Sequence, residues 1–121
     1  MKLHPKEMWL LYDCHSDSQK QTRAMAHSIT KHVNEFDLKS TRISKYRWYD
    51  ILDMLQMRPK DLFNKANPKY QKEVAGKEFD DDGYLDILNN NPCMIKAPIA
   101  IMNGKAVLCE TPSDIYRLQS Q

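Results

Sequence analysis

Eight residues near the N-terminus bring together side chains that could perform several kinds of chemistry. Residues 13–20 read Asp-Cys-His-Ser-Asp-Ser-Gln-Lys. The thiol of Cys14 would become a nucleophile if its pKa fell, and His15, Lys20 and the start of a following helix would all lower it. The two aspartates of the segment would oppose that shift. Cys14 also directly follows an apolar run, so an inert, half-buried cysteine is the alternative.

The same segment also suggests a serine nucleophile or a site for a small anion. As a hydrolytic nucleophile, Ser16 would need an orienting base and an oxyanion hole, and its neighbour His15 is badly placed to act as that base. The first-turn amides near Ser18, together with Lys20 and Arg23, could hold a small anion. Adjacent residues rarely converge on one metal ion, and we expect no metal site.

A strand, a loop and a helix must position these side chains. The apolar run Met8–Tyr12 is typical of a buried strand. Apolar residues then recur at helical spacing over Ser18–Val33, with Ser16 or Asp17 as the cap. The rough alternation in Phe36–Ile43 predicts a second strand near an edge of the sheet.

Helices are predicted for the middle of the chain. Ser44 is expected to cap a helix over Tyr46–Gln56. Pro59 suits the first turn of a short helix over Lys60–Lys65, and Asn67-Pro68 should end it.

The acidic run Asp80-Asp81-Asp82-Gly83 resembles a calcium loop, but a helix start explains it better. The further oxygen ligands and the closing glutamate of an EF-hand are missing. Acidic residues favour the positive end of a helix, and an apolar helical stripe begins at Tyr84.

A hairpin and a last helix are predicted for the C-terminal part. Strands over Met94–Met102 and Lys105–Cys109 flank Asn103-Gly104, a strong signal for a tight hairpin turn. Thr111-Pro112-Ser113-Asp114 then opens the last helix. The order of elements predicts an α/β fold with a mixed sheet of about four strands. We expect one domain over residues 1–121, with a helical insertion over about residues 44–91.

Composition limits the classes of function. The chain has 121 residues, of which 41% are hydrophobic and 28% charged, and its net charge of +2 does not by itself indicate nucleic acid binding. No apolar run is long enough for a membrane helix, and the charged segment Met1–Glu7 is unlike a signal peptide. Three widely spaced cysteines do not form a disulfide framework. We therefore expect a cytoplasmic protein with reduced thiols and no membrane association.

Several motifs in the same order resemble the arsenate reductase/Spx family of thioredoxin-fold proteins. The resemblance covers about residues 9–118 and implies a thioredoxin-like mixed sheet. The motifs are Lys-Gln-Thr-Arg-Ala at 20–24, Asp-Leu-Phe-Asn-Lys at 61–65, Asp-Ile-Leu-Asn-Asn-Asn-Pro at 86–92, Ile-Lys-Ala-Pro-Ile at 95–99, Asn-Gly-Lys at 103–105 and Thr-Pro-Ser-Asp at 111–114.

The resemblance also implies where the family's functional residues should lie. Ser16 stands at the position of the catalytic cysteine, and Gln19 at the second cysteine of Spx-type members. Pro98 matches the cis-proline that faces the active loop. The arginines that grip the anion are matched by Asn64, Ala97 and Glu110.

These departures imply a divergent member without arsenate reductase activity that acts by binding. A serine cannot form a disulfide, and neither alanine nor glutamate replaces the bidentate grip of arginine on an oxyanion. The alternative is a thiol-disulfide or glutathione-linked oxidoreductase that uses Cys14. No resident cofactor is expected, although glutathione could supply the second thiol.

An aromatic and basic segment in the second helix is a candidate surface for a protein partner, because aromatic residues and arginine dominate interface hot spots. It consists of Tyr46, Arg47, Trp48 and Tyr49. The alternative is that Trp48 faces the core while its neighbours are solvated.

Overall fold

A four-stranded mixed sheet lies at the centre of the protein. The computed structural model describes residues 7–13 and 17–119. The strands follow the spatial order β2-β1-β3-β4; β1 and β2 are parallel, and the other neighbours are antiparallel. Their bounds are β1 Glu7–Tyr12, β2 His32–Asp37, β3 Ile99–Met102 and β4 Lys105–Leu108.

In the described part of the chain, four α-helices and three 3₁₀ helices connect or follow these strands. Each 3₁₀ helix begins at a proline, whose fixed φ and missing N–H suit the first helical position. The α-helices are α1 Asp17–Ile29, α2 Lys45–Leu55, α3 Pro68–Glu73 and α4 Asp81–Asn90, and the 3₁₀ helices are Pro59–Leu62, Pro92–Met94 and Pro112–Gln119.

The alternation of side chains along the strands divides the apolar core between the two faces of the sheet. On one face, Leu11 and Ile99 pack in one cluster with residues of α2 and α4. On the other face, Leu10 and Ala100 pack with α1 and the C-terminal 3₁₀ helix. The predicted mixed sheet, with helices between its second and third strands, is confirmed.

Local capping signals in the sequence set several helix starts. The Ser44 hydroxyl accepts from the Arg47 amide at 3.2 Å, as predicted for α2. The Asp80 carboxylate accepts from the Gly83 amide at 2.7 Å at the start of α4, so the acidic run begins a helix. Asn67-Pro68, which was predicted to end a helix, instead begins α3, where the Asn67 side chain accepts from the Tyr70 amide.

The boundary between α1 and β2 was predicted wrongly. The helix ends at Ile29 rather than Val33, and β2 begins at His32 rather than Phe36. Pairing with β1 decides the boundary: Val33 lies opposite Met8, and the ring of Phe36 lies 5.0 Å from that of Trp9. An apolar residue at position 33 fits the helical stripe equally well, so the periodicity alone did not distinguish the two.

The segment before β3 also differs from its prediction. Only Ile99–Met102 of the predicted strand Met94–Met102 joins the sheet. Residues 94–96 pair instead with residues 62–64: the Asn64 amide donates to the Met94 carbonyl at 2.7 Å, and the Lys96 amide donates to the Leu62 carbonyl at 2.6 Å.

Two predicted helices are 3₁₀ helices in the structure. The short one covers Pro59–Leu62 rather than Lys60–Lys65, and the last covers Pro112–Gln119. Among the described residues, no helix is long and apolar enough to cross a membrane.

Candidate functional site

The start of α1 and the segment that precedes β3 lie at the same end of the sheet, where β1 ends. Leu11 lies opposite Ile99, so the chain leaves β1 beside Pro98 and enters α1 at Asp17. Cys14 and Ser16, the predicted catalytic positions, lie outside the described residues.

The three other predicted binding residues belong to the described elements. Ser18 lies in the first turn of α1, although its side chain is outside the described part. Lys20 follows on the same helix and is exposed, whereas Pro98 is buried immediately before β3.

The peptide bond that precedes Pro98 is trans, contrary to the expectation from the resemblance. None of the peptide bonds within residues 7–13 and 17–119 is cis. The trans form is intrinsically favoured at an X–Pro bond, by about 0.5–1 kcal/mol. In this conformation the Pro98 carbonyl accepts a hydrogen bond from the Cys109 amide at 2.8 Å, which ties the start of β3 to the end of β4.

Buried polar side chains connect the end of β1 to the first turns of α1. Asp13, Gln19 and Thr22 are at most 7% exposed. The Asp13 amide donates to the Gln19 side-chain carbonyl at 3.2 Å. Gln19, which matches a second cysteine position in the family, therefore helps to fix the entry to α1. Asp13 was predicted to act as a charge near Cys14 or as a possible metal ligand, and its burial was not predicted.

A second polar network joins α1 to β2. Arg23 Nε lies 2.7 Å from Glu35 Oε1, and His27 Nε2 lies 2.6 Å from Glu35 Oε2. The Arg23 guanidinium also lies 4.6 Å from the centre of the Tyr12 ring. Arg23 is thus paired with an internal carboxylate, which weakens the prediction that it helps Lys20 to hold an anion.

This network shifts the pKa of two of its members. Burial alone would raise the pKa of Glu35, but hydrogen bonds from His27 and Arg23 outweigh it, and the pKa lies below its ordinary value. Burial is the main cause of a raised pKa at Tyr12, which the nearby Arg23 charge partly opposes. Glu35 is therefore held as a carboxylate between two basic side chains.

The three positions that match the family's arginines are held close to the segment before β3. The pairing of residues 62–64 with 94–96 brings Asn64 beside this segment, and Ala97 is buried there. The Glu110 side chain lies beside the same segment, because its Oε1 is 2.9 Å from Nζ of Lys96. The three matched positions therefore lie in one region of the fold.

A cavity of about 490 Å³ opens beside these residues. Lys65 and Lys96 are its basic side chains, and Asp61 is its acidic one. The Asn64 side-chain carbonyl accepts from the Ala66 amide at 3.0 Å within a local turn. None of the described residues in this lining carries a guanidinium group, and the Lys96 charge is matched by Glu110. The described part of the cavity therefore lacks the bidentate grip that arginine gives on an oxyanion.

The two cysteines in the described part of the chain differ in exposure. Cys93 is exposed, whereas Cys109 is 1% exposed. Burial, with a contribution from the Asp114 carboxylate, raises the pKa of the Cys109 thiol to about 12. Cys109 is therefore not a thiolate near neutral pH. Residues 7–13 and 17–119 contain no group of three potential metal ligands.

The aromatic segment of α2 is divided between core and surface. Trp48 is 1% exposed, and its indole N–H donates to the Asn89 side-chain carbonyl at 3.1 Å. Tyr46 and Tyr49 are 82% and 40% exposed, and Arg47 is exposed as well. Of the two alternatives for Trp48, the core position is the one observed.

The strand order β2-β1-β3-β4, with α1 and the Pro98 segment meeting at one end of the sheet, defines a thioredoxin-like protein. The sequence model of the ArsC family matches residues 13–118. The chain therefore belongs to the ArsC family.

Solved structures of similar fold agree with this assignment. A "putative arsenate reductase" from Yersinia pestis aligns with a TM-score of 0.83 and 17% identity over 92% of this chain and 99% of its own. Arsenate reductase from Vibrio cholerae aligns with a TM-score of 0.82 and 15% identity over 94% and 98%. An arsenate reductase (ArsC) related protein from Brucella melitensis aligns with a TM-score of 0.67 and 16% identity over 99% and 100%. No curated protein matches the chain.

Proposed function

We propose that this ArsC-family protein does not reduce arsenate and that it uses the thioredoxin-like fold to bind a protein partner. The ion pair between Lys96 and Glu110 is the observation that carries the proposal. It places a carboxylate where the family resemblance expects an arginine, beside the basic residue that precedes Ala97. A carboxylate there repels an oxyanion and neutralises the nearest cation.

The residue that the resemblance matches to the family's catalytic cysteine supports the same proposal. Reduction of arsenate to arsenite takes two electrons, which thiols supply as they become a disulfide. Ser16 has no thiol to contribute, and its hydroxyl does not ionise near neutral pH.

The direct test measures arsenite formed from arsenate by the purified protein with glutathione and glutaredoxin as reductants. We expect no arsenite above the level of a protein-free control. Arsenite production by the wild-type protein that is lost in Cys14→Ser and kept in Cys93→Ser would overturn the proposal. Cys93 is a suitable control because it is exposed.

The partner is proposed to contact the exposed face of α2 that carries Tyr46 and Tyr49, which lie three residues apart on the helix. Aromatic residues and arginine contribute most of the energy in many interfaces. Affinity capture from the source cell should recover a protein with the wild-type chain and lose it with Tyr46→Ser. Tyr116→Ser is the matched control, because Tyr116 is 43% exposed on the C-terminal 3₁₀ helix. Equal loss with both variants would argue against a specific α2 surface.

A thiol oxidoreductase that uses Cys14 is the second candidate. It is favoured by the Asp13–Gln19 hydrogen bond, which fixes the chain just before Cys14 to the start of α1. The positive end of a helix stabilises a thiolate. In such a reaction the Cys14 thiolate would attack a glutathione disulfide and release one glutathione thiolate.

Iodoacetamide labelling across pH distinguishes the two candidates. The binding proposal expects Cys14 to react no faster than Cys93, with Cys109 unlabelled until the protein unfolds. Fast labelling of Cys14 well below the ordinary thiol pKa of about 8.5 would favour the oxidoreductase instead.

A further inference from the structure

A second cavity, of about 410 Å³, lies between strands β1 and β2 on one side and the start of α2 on the other. Among residues 7–13 and 17–119, none lines both this cavity and the one beside Asn64 and Lys96. Its walls are mainly apolar, and two arginines complete them. The residues that matter for binding are Trp9, Phe36, Ile43, Ile51, Arg42 and Arg47.

An aromatic pair forms one wall of this cavity. The rings of Trp9 and Phe36 lie 5.0 Å apart at an angle of 55°, and both side chains are only half-buried. By contrast, Ile43 and Ile51 in the opposite wall are buried. Half-buried aromatic surface in a concave site favours an apolar, ring-shaped ligand.

Two guanidinium groups lie beside this apolar space. The Arg47 guanidinium lies 4.9 Å from the centre of the Trp9 ring. Arg42 Nη1 donates to the Asn90 side-chain carbonyl at 3.2 Å, which leaves its other N–H groups for a further acceptor. Within residues 7–13 and 17–119, no carboxylate forms an ion pair with either arginine, in contrast to Arg23 and Lys96.

We propose that this cavity binds a small aromatic carboxylate. The ring would lie against Trp9 and Phe36, and the carboxylate would face Arg42 and Arg47. The volume falls within the usual range for small-ligand sites, about 300–1,000 Å³. A guanidinium group can form two parallel hydrogen bonds with a planar carboxylate. An inorganic anion alone would make no use of the aromatic wall formed by Trp9 and Phe36. This proposal does not depend on whether the chain reduces arsenate.

The two tryptophans of the chain allow a test with an internal control. The ¹⁵N-labelled protein is titrated with naphthalene-2-carboxylate and, separately, with neutral naphthalene-2-carboxamide. We expect the indole N–H signal of Trp9 to shift saturably with the carboxylate. The signal of Trp48 should stay in place, because its N–H is bonded to Asn89 in the core. The carboxamide should bind at least about tenfold more weakly, because it cannot form charge-assisted hydrogen bonds.

Exposed arginines provide matched variants. Arg47→Gln should weaken carboxylate binding by about tenfold and leave carboxamide binding unchanged, because only the charge-assisted contact is removed. Arg42→Gln is a second variant with the same expected direction. Arg58→Gln is the control, because Arg58 is exposed and pairs with Asp81 away from this cavity.

Three results would overturn the proposal. Equal affinity for carboxylate and carboxamide would show that the arginines do not select an anion. The absence of any Trp9 shift at the solubility limit of the carboxylate would show that the cavity takes no such ligand. A Trp9 indole signal that shifts with protein concentration in the absence of any carboxylate would indicate that a second copy of the chain occupies the cavity.

Discussion

Lys96 Nζ and Glu110 Oε1 lie 2.9 Å apart across the start of β3 and the end of β4. The two side chains are 42% and 56% exposed, so water screens their attraction. The pair therefore contributes little to stability. We expect it to lower the attraction of the neighbouring cavity for anions, because the Glu110 carboxylate balances the charge of Lys96.

Replacing Glu110 should separate these two effects. Glu110→Gln should increase the affinity for inorganic sulfate by about threefold or more, because Lys96 regains an unmatched charge. The free energy of unfolding should change by less than about 1 kcal/mol, as is usual for exposed pairs. NMR titration that follows the Lys96 amide signal measures the sulfate affinity, and urea unfolding measures the stability.

Glu73→Gln, which breaks the exposed pair with Lys69, is the control. Equal sulfate affinity in all three proteins would contradict the role of Glu110.

Asn89 should be far more important for stability than the adjacent Asn90. Its side chain accepts from the buried Trp48 indole at 3.1 Å and donates to the Ile43 carbonyl at 3.0 Å. Asn89→Ala removes both bonds and should lower the free energy of unfolding by about 2–3 kcal/mol. Asn90→Ala removes only an exposed contact with Arg42 and should cost less than about 0.5 kcal/mol. Urea unfolding followed by tryptophan fluorescence compares them, and similar losses would show that the Asn89 bonds are not a major anchor of α4.

The hairpin turn between β3 and β4 offers a test of backbone conformation alone. Asn103 and Gly104 have φ of 53° and 76°, as the Asn-Gly signal predicts. A Cβ at Gly104 would meet no atom within 4 Å, so only the left-handed backbone opposes a side chain there. Gly104→Ala should lower the free energy of unfolding by about 1 kcal/mol, and Gly104→Asn by less, because asparagine tolerates this region better. Thermal unfolding of both variants measures the difference. Equal losses would indicate that the cost lies elsewhere.

Features with a local cause could be predicted from the sequence. The caps at Ser44 and Asp80 and the turn at Asn103-Gly104 need only a few neighbouring residues, and the structure has all three. The order of these elements was sufficient to predict the mixed four-stranded sheet.

Features that depend on distant pairing could not be predicted in this way. Val33 belongs to β2 because it pairs beside Met8, which is remote in sequence. The bonds of Glu35 to α1 follow from the same pairing. The family match singled out Asn64, Ala97 and Glu110, but it could not show that Lys96 pairs with Glu110.

Glu35 should make folding depend on pH in the acidic range. Its folded-state pKa lies below the ordinary value of 4.5, because hydrogen bonds from His27 and Arg23 outweigh the effect of burial. A lowered folded-state pKa stabilises the protein fully above the unfolded-state pKa, and that stabilisation is lost as the pH falls through the folded-state pKa. Glu35→Gln should therefore reduce the free energy of unfolding by about 1–2 kcal/mol at pH 7. The difference from wild type should shrink steadily below pH 4.5.

Urea unfolding of both proteins from pH 7 to pH 3 measures this dependence. Glu73→Gln is again the control, since its exposed pair with Lys69 should give a small difference at every pH. A loss in Glu35→Gln that stays constant down to pH 3 would mean that packing of the side chain, rather than its charge, stabilises the contact between α1 and β2. A loss that fades only below pH 4.5 would show that the carboxylate itself holds Arg23 and His27 in place.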